Sequence, residues 1–132
     1  MVIPYEKIDT HVREYYKGSF MSHTKWKKLL HVMVDNYPAG FALHYRLIHG
    51  DSIHEALLND VDDQFFIEPI LYKEVEWIEF PDRFEDWRDP NNRKAGKITK
   101  KQNLTQIRNI IHTLGELESE NLESSIRVYG YK

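Results

Sequence analysis

The sequence predicts an α+β fold: a mostly antiparallel sheet of about four strands, with two N-terminal helices and one C-terminal helix packed on it. Three observations predict it. Near both ends, large apolar residues recur at steps of three and four, the helical period. Between them, and again at the C-terminus, apolar residues alternate with polar ones, as in strands with one wet face. The strands follow one another through short links, which suits antiparallel pairing with helices gathered on one face. A chain of 132 residues is one domain's worth of material. Residues 1–132 are therefore read as a single domain, with a mobile polar segment at about 82–101.

The first helix is expected over residues 4–17, where Tyr5, Ile8, Val12 and Tyr15 or Tyr16 share a face, Pro4 suits an early helical position and Gly18 stops the run. A second helix follows over 22–35. Ser22 can cap its free amides, Met21 and Trp26 bracket the cap, and Trp26, Leu29, Leu30 and Met33 form its stripe. After the turn-rich stretch 35–40, residues 41–48 alternate cleanly: Phe41, Leu43, Tyr45 and Leu47 inward, Ala42, His44 and Arg46 outward. Residues 52–59 predict a short helix, because Ser52 and Glu55 have capping-box spacing and Ile53, Ala56 and Leu57 match a helical face. Phe65, Phe66 and Ile67 make a short strand.

Residues 70–80, ILYKEVEWIEF, carry the strongest strand signal. Strict alternation puts Leu71, Val75 and Trp77 on one face. The other face then carries Ile70, Tyr72, Glu74, Glu76, Ile78 and Phe80, and its middle should be wet, because an unpaired buried carboxylate is very costly. Ile78 and Phe80 need cover, or a bulge near Trp77 that switches faces. Pro81 is expected to end the pairing. Asn103 opens the last helix, with Ile107, Ile110, Ile111 and Leu114 as its stripe and Gly115 as its stop. Residues 116–123 read as an acidic loop and 125–131 as a final strand. Trp26 and Trp77 both read as core residues.

Composition removes several classes of function. No apolar run reaches membrane-spanning length, and the N-terminus lacks the basic-then-apolar layout of a secretory signal, so a cytoplasmic home is expected. The chain has no cysteine, which excludes disulfides and thiolate metal sites. Its seven histidines lack the convergent spacing that zinc requires. Asp60, Asp62 and Asp63 invite a calcium reading, but the glycine and distal glutamate of an EF-hand loop are missing. The six glycines stand alone, so no phosphate-cradling loop is present, and no nucleophile elbow occurs. No cofactor and no metal are expected, and the chain is not read as an enzyme.

The distribution of charge is more informative than its total of −3. Residues 51–90 hold 13 Asp and Glu against 3 Lys and Arg, whereas residues 91–102 hold 5 basic residues and no acid. Glu74, Glu76, Glu79, Asp82, Glu85 and Asp86 run from the wet face of the central strand into its exit loop, with Trp87 beside them. Clustered carboxylates raise the encounter rate with a basic partner and select it by sign, and a flanking tryptophan can anchor it. Those seven residues are the candidate partner-binding site. Basic partners are commonly nucleases, and nucleic acid itself is disfavoured at this face by sign. Two alternatives remain open: a small hydrolase or ribonuclease using a histidine and a carboxylate such as His44, and a nucleic-acid module using the basic loop with Lys25, Lys27 and Lys28.

Three blocks, FMSHTKWKKLL near the front, YKEVEWIEF in the middle and IRVYGY at the end, resemble a family of small bacterial proteins with similar TKW, EWIE and YGY blocks. That family is similar to the immunity partners of polymorphic or contact-dependent toxins. The likeness spans most of the chain apart from 82–102 and carries no catalytic motif. It implies neutralisation of a cognate basic toxin by binding.

Overall fold

The computed structural model describes residues 7–132. A five-stranded antiparallel sheet in the order β2-β1-β5-β9-β8 forms the centre, built from β1 (Phe41–Leu47), β2 (His54–Leu58), β5 (Val75–Pro81), β8 (Ser119–Asn121) and β9 (Ser125–Tyr129). Two further strand pairs stand apart from it. One is β3 (Phe65–Ile67) with β4 (Ile70–Leu71); the other is β6 (Arg83–Trp87) with β7 (Lys97–Lys101). Helices α2 (His23–Asn36) and α3 (Leu104–Thr113) cover one face of the sheet, and α1 (Ile8–Tyr15) packs at the end where β1 leaves it.

The helices form where local chemistry requires them. Ser22 Oγ accepts from Lys25 N–H at 3.1 Å and Asn103 Oδ1 from Gln106 N–H at 3.1 Å, so each side chain satisfies an orphan amide of its first turn. Trp26, Leu29, Leu30 and Met33 meet Ile107, Ile110 and Ile111 over Phe41, Leu43, Ile78, Phe80, Ile126 and Val128. Burial of each such side chain stabilises the fold by roughly 1.5–3 kcal/mol, so this face closes without a cofactor. The start expected for α1 at Pro4 lies outside the described residues; the helix ends at Tyr15, before Gly18.

Four expectations are corrected. Residues 54–58 are strand β2, not a helix. They pair with β1 in register Phe41↔Leu58 to Tyr45↔His54, which sends Ala56 and Leu58 toward the core and leaves Leu57 out, although a helix would have grouped Ala56 with Leu57. The stretch 70–80 is interrupted: a 3-10 turn at Tyr72–Glu74 separates β4 from β5. The register passes from Arg46↔Trp77 to Leu47↔Val75, so Glu76 is an extra residue, a bulge that changes the facing of its neighbours. Val75, Ile78 and Phe80 therefore all enter the core, while Trp77 is buried on the opposite face. Pro81, opposite Ser125, is the last residue of β5, so the strand ends where expected.

Residues 83–101 are an antiparallel ribbon rather than an irregular segment, paired from Arg83↔Lys101 to Trp87↔Lys97. Gly96 at φ +79 makes its turn, a conformation glycine adopts without steric cost. Gln102 anchors the base. Its buried side chain accepts from Ala42 N–H at 2.6 Å and donates to Pro81 O at 2.8 Å and Ala42 O at 3.2 Å. The expected loop 116–123 contains β8, which makes five strands in the main sheet rather than four.

Candidate functional site

The seven residues expected to form one acidic surface are divided among three places. Glu74 is buried, 5% exposed, and not wet: Oε1 lies 3.0 Å from His49 Nε2, and Oε2 accepts from Leu71 N–H at 2.6 Å. Glu76, in the bulge, accepts from the Tyr16 hydroxyl at 2.7 Å. Its Oε2 lies 3.1 Å from Arg46 Nε, an ion pair outside hydrogen-bonding alignment. Burial and the Glu76 carboxylate push the Tyr16 hydroxyl well above the ordinary tyrosine range. Glu79 is gripped by Arg127, with Nε and Nη2 each 2.9 Å from Oε1.

The remaining four sit at the ribbon. Asp82 lies 3.4 Å from Arg83 Nε. Asp86 accepts from Lys100 Nζ at 2.9 Å and from Trp87 N–H at 2.8 Å, and the lysine bond leads in holding this carboxyl below its usual range. Trp87 is faced by Arg93 at 5.1 Å and Lys97 at 4.9 Å. Among the described residues Glu85 has no ion-pair partner. Most of the carboxylates of 74–86 are therefore matched by the chain's own cations, a pattern hidden from a reading of charge along the sequence.

The face of the sheet turned away from α2 and α3 carries a different arrangement. Glu55 pairs with His44, His44 with Glu79, Glu79 with Arg127, and Arg127 with Glu120, each directly across a strand boundary. One transverse row of ionisable side chains thus crosses all five strands. His44 Nε2 is 3.5 Å from Glu55 and its Nδ1 3.9 Å from Glu79. Tyr129 donates to Glu120 at 3.0 Å, and Arg127 lies 4.0 Å over the Trp77 ring. Cation–π attraction and the fork to Glu79 account for a buried tryptophan on a face without helices.

The row ends at an open edge. Strand β2 is the outermost strand, and Glu55 on it is 82% exposed. Ile53 and Leu57, two residues to either side, are 60% and 51% exposed. Residues 51–63 contain Asp51, Glu55, Asp60, Asp62 and Asp63 and no lysine or arginine. Asp51 and Asp63 reach Arg46 and Lys27, while Asp60 has no ion-pair partner among the described residues. Beside the edge, a groove of about 610 Å³ runs between the outer face of β1 and β2 and the ribbon. His44, Glu55, Leu57, Arg83, Phe84, Glu85 and Lys97 are among its lining residues, and Leu57 and Phe84 supply large apolar surface.

Sequence reading missed this surface because it took 52–59 for a helix. The signal that could have found it is the run 51–63, acidic without compensation. The basic loop is strand β7 with its turn, and Lys27 is paired with Asp63 at 3.0 Å. Among the described residues no helix is long and apolar enough to cross a membrane. No curated protein and no solved structure matches the chain. A family model matches residues 8–132, and the chain belongs to that family, a family of unknown function designated DUF6678.

Proposed function

We propose that this protein is a binding protein of the inhibitor type, which docks and neutralises a basic protein, as the resemblance to toxin-immunity partners implies. The cognate partner in this reading is a toxin nuclease. One observation carries the proposal: the stretch 51–63, which holds five carboxylates and no lysine or arginine, surrounds an open edge strand that exposes Glu55 and Leu57, with Ile53 exposed just before it. Carboxylates select a basic partner by sign and accelerate encounter, and the apolar pair offers contact area that water leaves on docking. Glu85, on the groove's far wall, extends the same surface; Glu74, Glu76 and Glu79 act as supports of the fold.

The test is co-purification of the full chain from its native host, wild type beside the double variant Glu55→Lys, Asp60→Lys. Recovery of a stoichiometric basic protein by the wild type alone, with host growth rescued from that protein by the wild type alone, is the expected result. Equal recovery by both chains, or recovery of no basic protein, would remove the proposal.

A second reading, hydrolysis by a histidine–carboxylate pair, is favoured by His44 standing between Glu55 and Glu79 at the groove. It requires RNA or ester cleavage by the wild type that disappears in His44→Ala; no cleavage in the wild type disposes of it.

A further inference from the structure

We infer that the outer edge of β2 accepts an extended segment of the basic partner as a sixth strand, with a lysine or arginine of that segment directly opposite Glu55. The inference rests on the inhibitor reading above and names how the partner is held.

β2 is terminal, and no described strand pairs with its outer side. Unpaired edge amides and carbonyls are a template for another strand, and proteins usually blunt such edges with lysine, proline or a bulge. Residues 53–58, IHEALL, contain neither lysine nor proline, and the pairing of β2 with β1 runs without a register shift.

The charge row then specifies the chemistry of the incoming strand. Opposite charges facing each other across strands are stabilising and like charges destabilising. Going outward, Arg127 faces Glu79, Glu79 faces His44, and His44 faces Glu55, where the row stops at a carboxylate. A cation on a sixth strand would face that carboxylate as Arg127 faces Glu79. A second copy of this chain cannot supply it by joining its edges to β2, because the row ends in Glu55 at one edge and Glu120 at the other. Self-pairing in register would oppose two glutamates, whereas a foreign basic strand satisfies the edge. Leu57 lies on the same face as Glu55, and Ile53 is exposed just before the strand, so apolar residues flanking the partner's cation would find apolar surface beside it. Strand addition of this kind draws affinity from main-chain hydrogen bonds and specificity from alternate side chains.

The experiment titrates the full chain, followed by amide NMR, with strand-forming peptides of about seven residues. One peptide has a central arginine flanked by valine and threonine, the second a central glutamate, and the third the arginine with alternate backbone nitrogens methylated. The expected result is that the arginine peptide shifts and protects the amides of 53–58. It should bind about tenfold tighter than the glutamate peptide, reverse that order in Glu55→Lys, and lose binding on methylation. Absent binding, equal binding of both charges, tolerance of methylation, perturbation centred on another element, or a wild-type dimer joined through β2 would overturn the inference. Failure here with intact, Glu55-dependent capture of a basic protein removes strand addition and leaves the inhibitor reading. Peptide binding without such capture does the reverse.

Discussion

Arg127 on β9 and Glu79 on β5 face each other across the centre of the sheet, with Nε and Nη2 of the guanidinium both 2.9 Å from Oε1 of the carboxylate. The same guanidinium roofs Trp77 at 4.0 Å. Arg127→Ala removes the roof and leaves Glu79, only 14% exposed, with a distant imidazole as its remaining partner. Chemical denaturation should show a loss of about 2–3 kcal/mol, discounted from the cost of breaking a fully buried pair because Arg127 is partly solvated. Arg127→Lys keeps the charge but not the fork and should fall between the two. Equal stability of Arg127→Ala and wild type would show that the row is decoration.

Gly130 marks a close approach. A Cβ there would stand 2.6 Å from Val75 O and 3.1 Å from Trp26 Cζ2, and Gly130 N–H donates to Glu76 O at 2.7 Å. The backbone contact cannot yield as a flexible side chain would. Gly130→Ala should therefore cost about 1–3 kcal/mol by overpacking, measured as a lower denaturation midpoint. An unchanged midpoint would mean that β9 and β5 separate easily at this end.

Gln102 takes the place of a strand residue at the foot of the ribbon. In Gln102→Ala three buried hydrogen bonds to Ala42 and Pro81 vanish. A loss of about 2–4 kcal/mol is expected, with faster amide exchange in β6 and β7. Exchange that rises in α2 and α3 but not in the ribbon would assign Gln102 a different role.

Alkaline stability provides a test by sign. Burial, followed by the charges of Asp62 and Asp63, pushes the Tyr72 hydroxyl up to about 12, and this hydroxyl donates to Asp62 O at 2.7 Å. A raised folded-state value means that the folded chain holds the proton more tightly. Its contribution is fully present below the unfolded tyrosine value of about 10 and is lost as pH rises toward 12. Tyr72→Phe should be less stable at neutral pH, through loss of the bond, and should show a shallower decline between about pH 10 and 12. Parallel declines in the two proteins would rule Tyr72 out as a source.

What could be read from the sequence was local. The caps at Ser22 and Asn103, the stripes of α2 and α3, and the alternation of 41–47 are all set within a few residues. Strand β2 escaped because His54–Leu58 satisfies a helical pattern equally well until β1 supplies its partner. A bulge near Trp77 is legible as one of two ways to cover Ile78 and Phe80, but its seat at Glu76 is set by the pairing with Arg46 and Leu47. His49 lies 25 residues from Glu74, and Arg127 lies 48 from Glu79, so the partner of each carboxylate is supplied by tertiary pairing. The acidic run 51–63 was legible, but its position on an open edge was not.

Recognition at the β2 edge is tested most directly by amide-exchange footprinting. The full chain is compared alone and bound to the basic protein that co-purifies with it. Protection concentrated in residues 53–58, absent when Glu55→Lys is mixed with the same protein, is the predicted result. Protection confined to residues 74–87, with β2 exchanging as in the free chain, would contradict it.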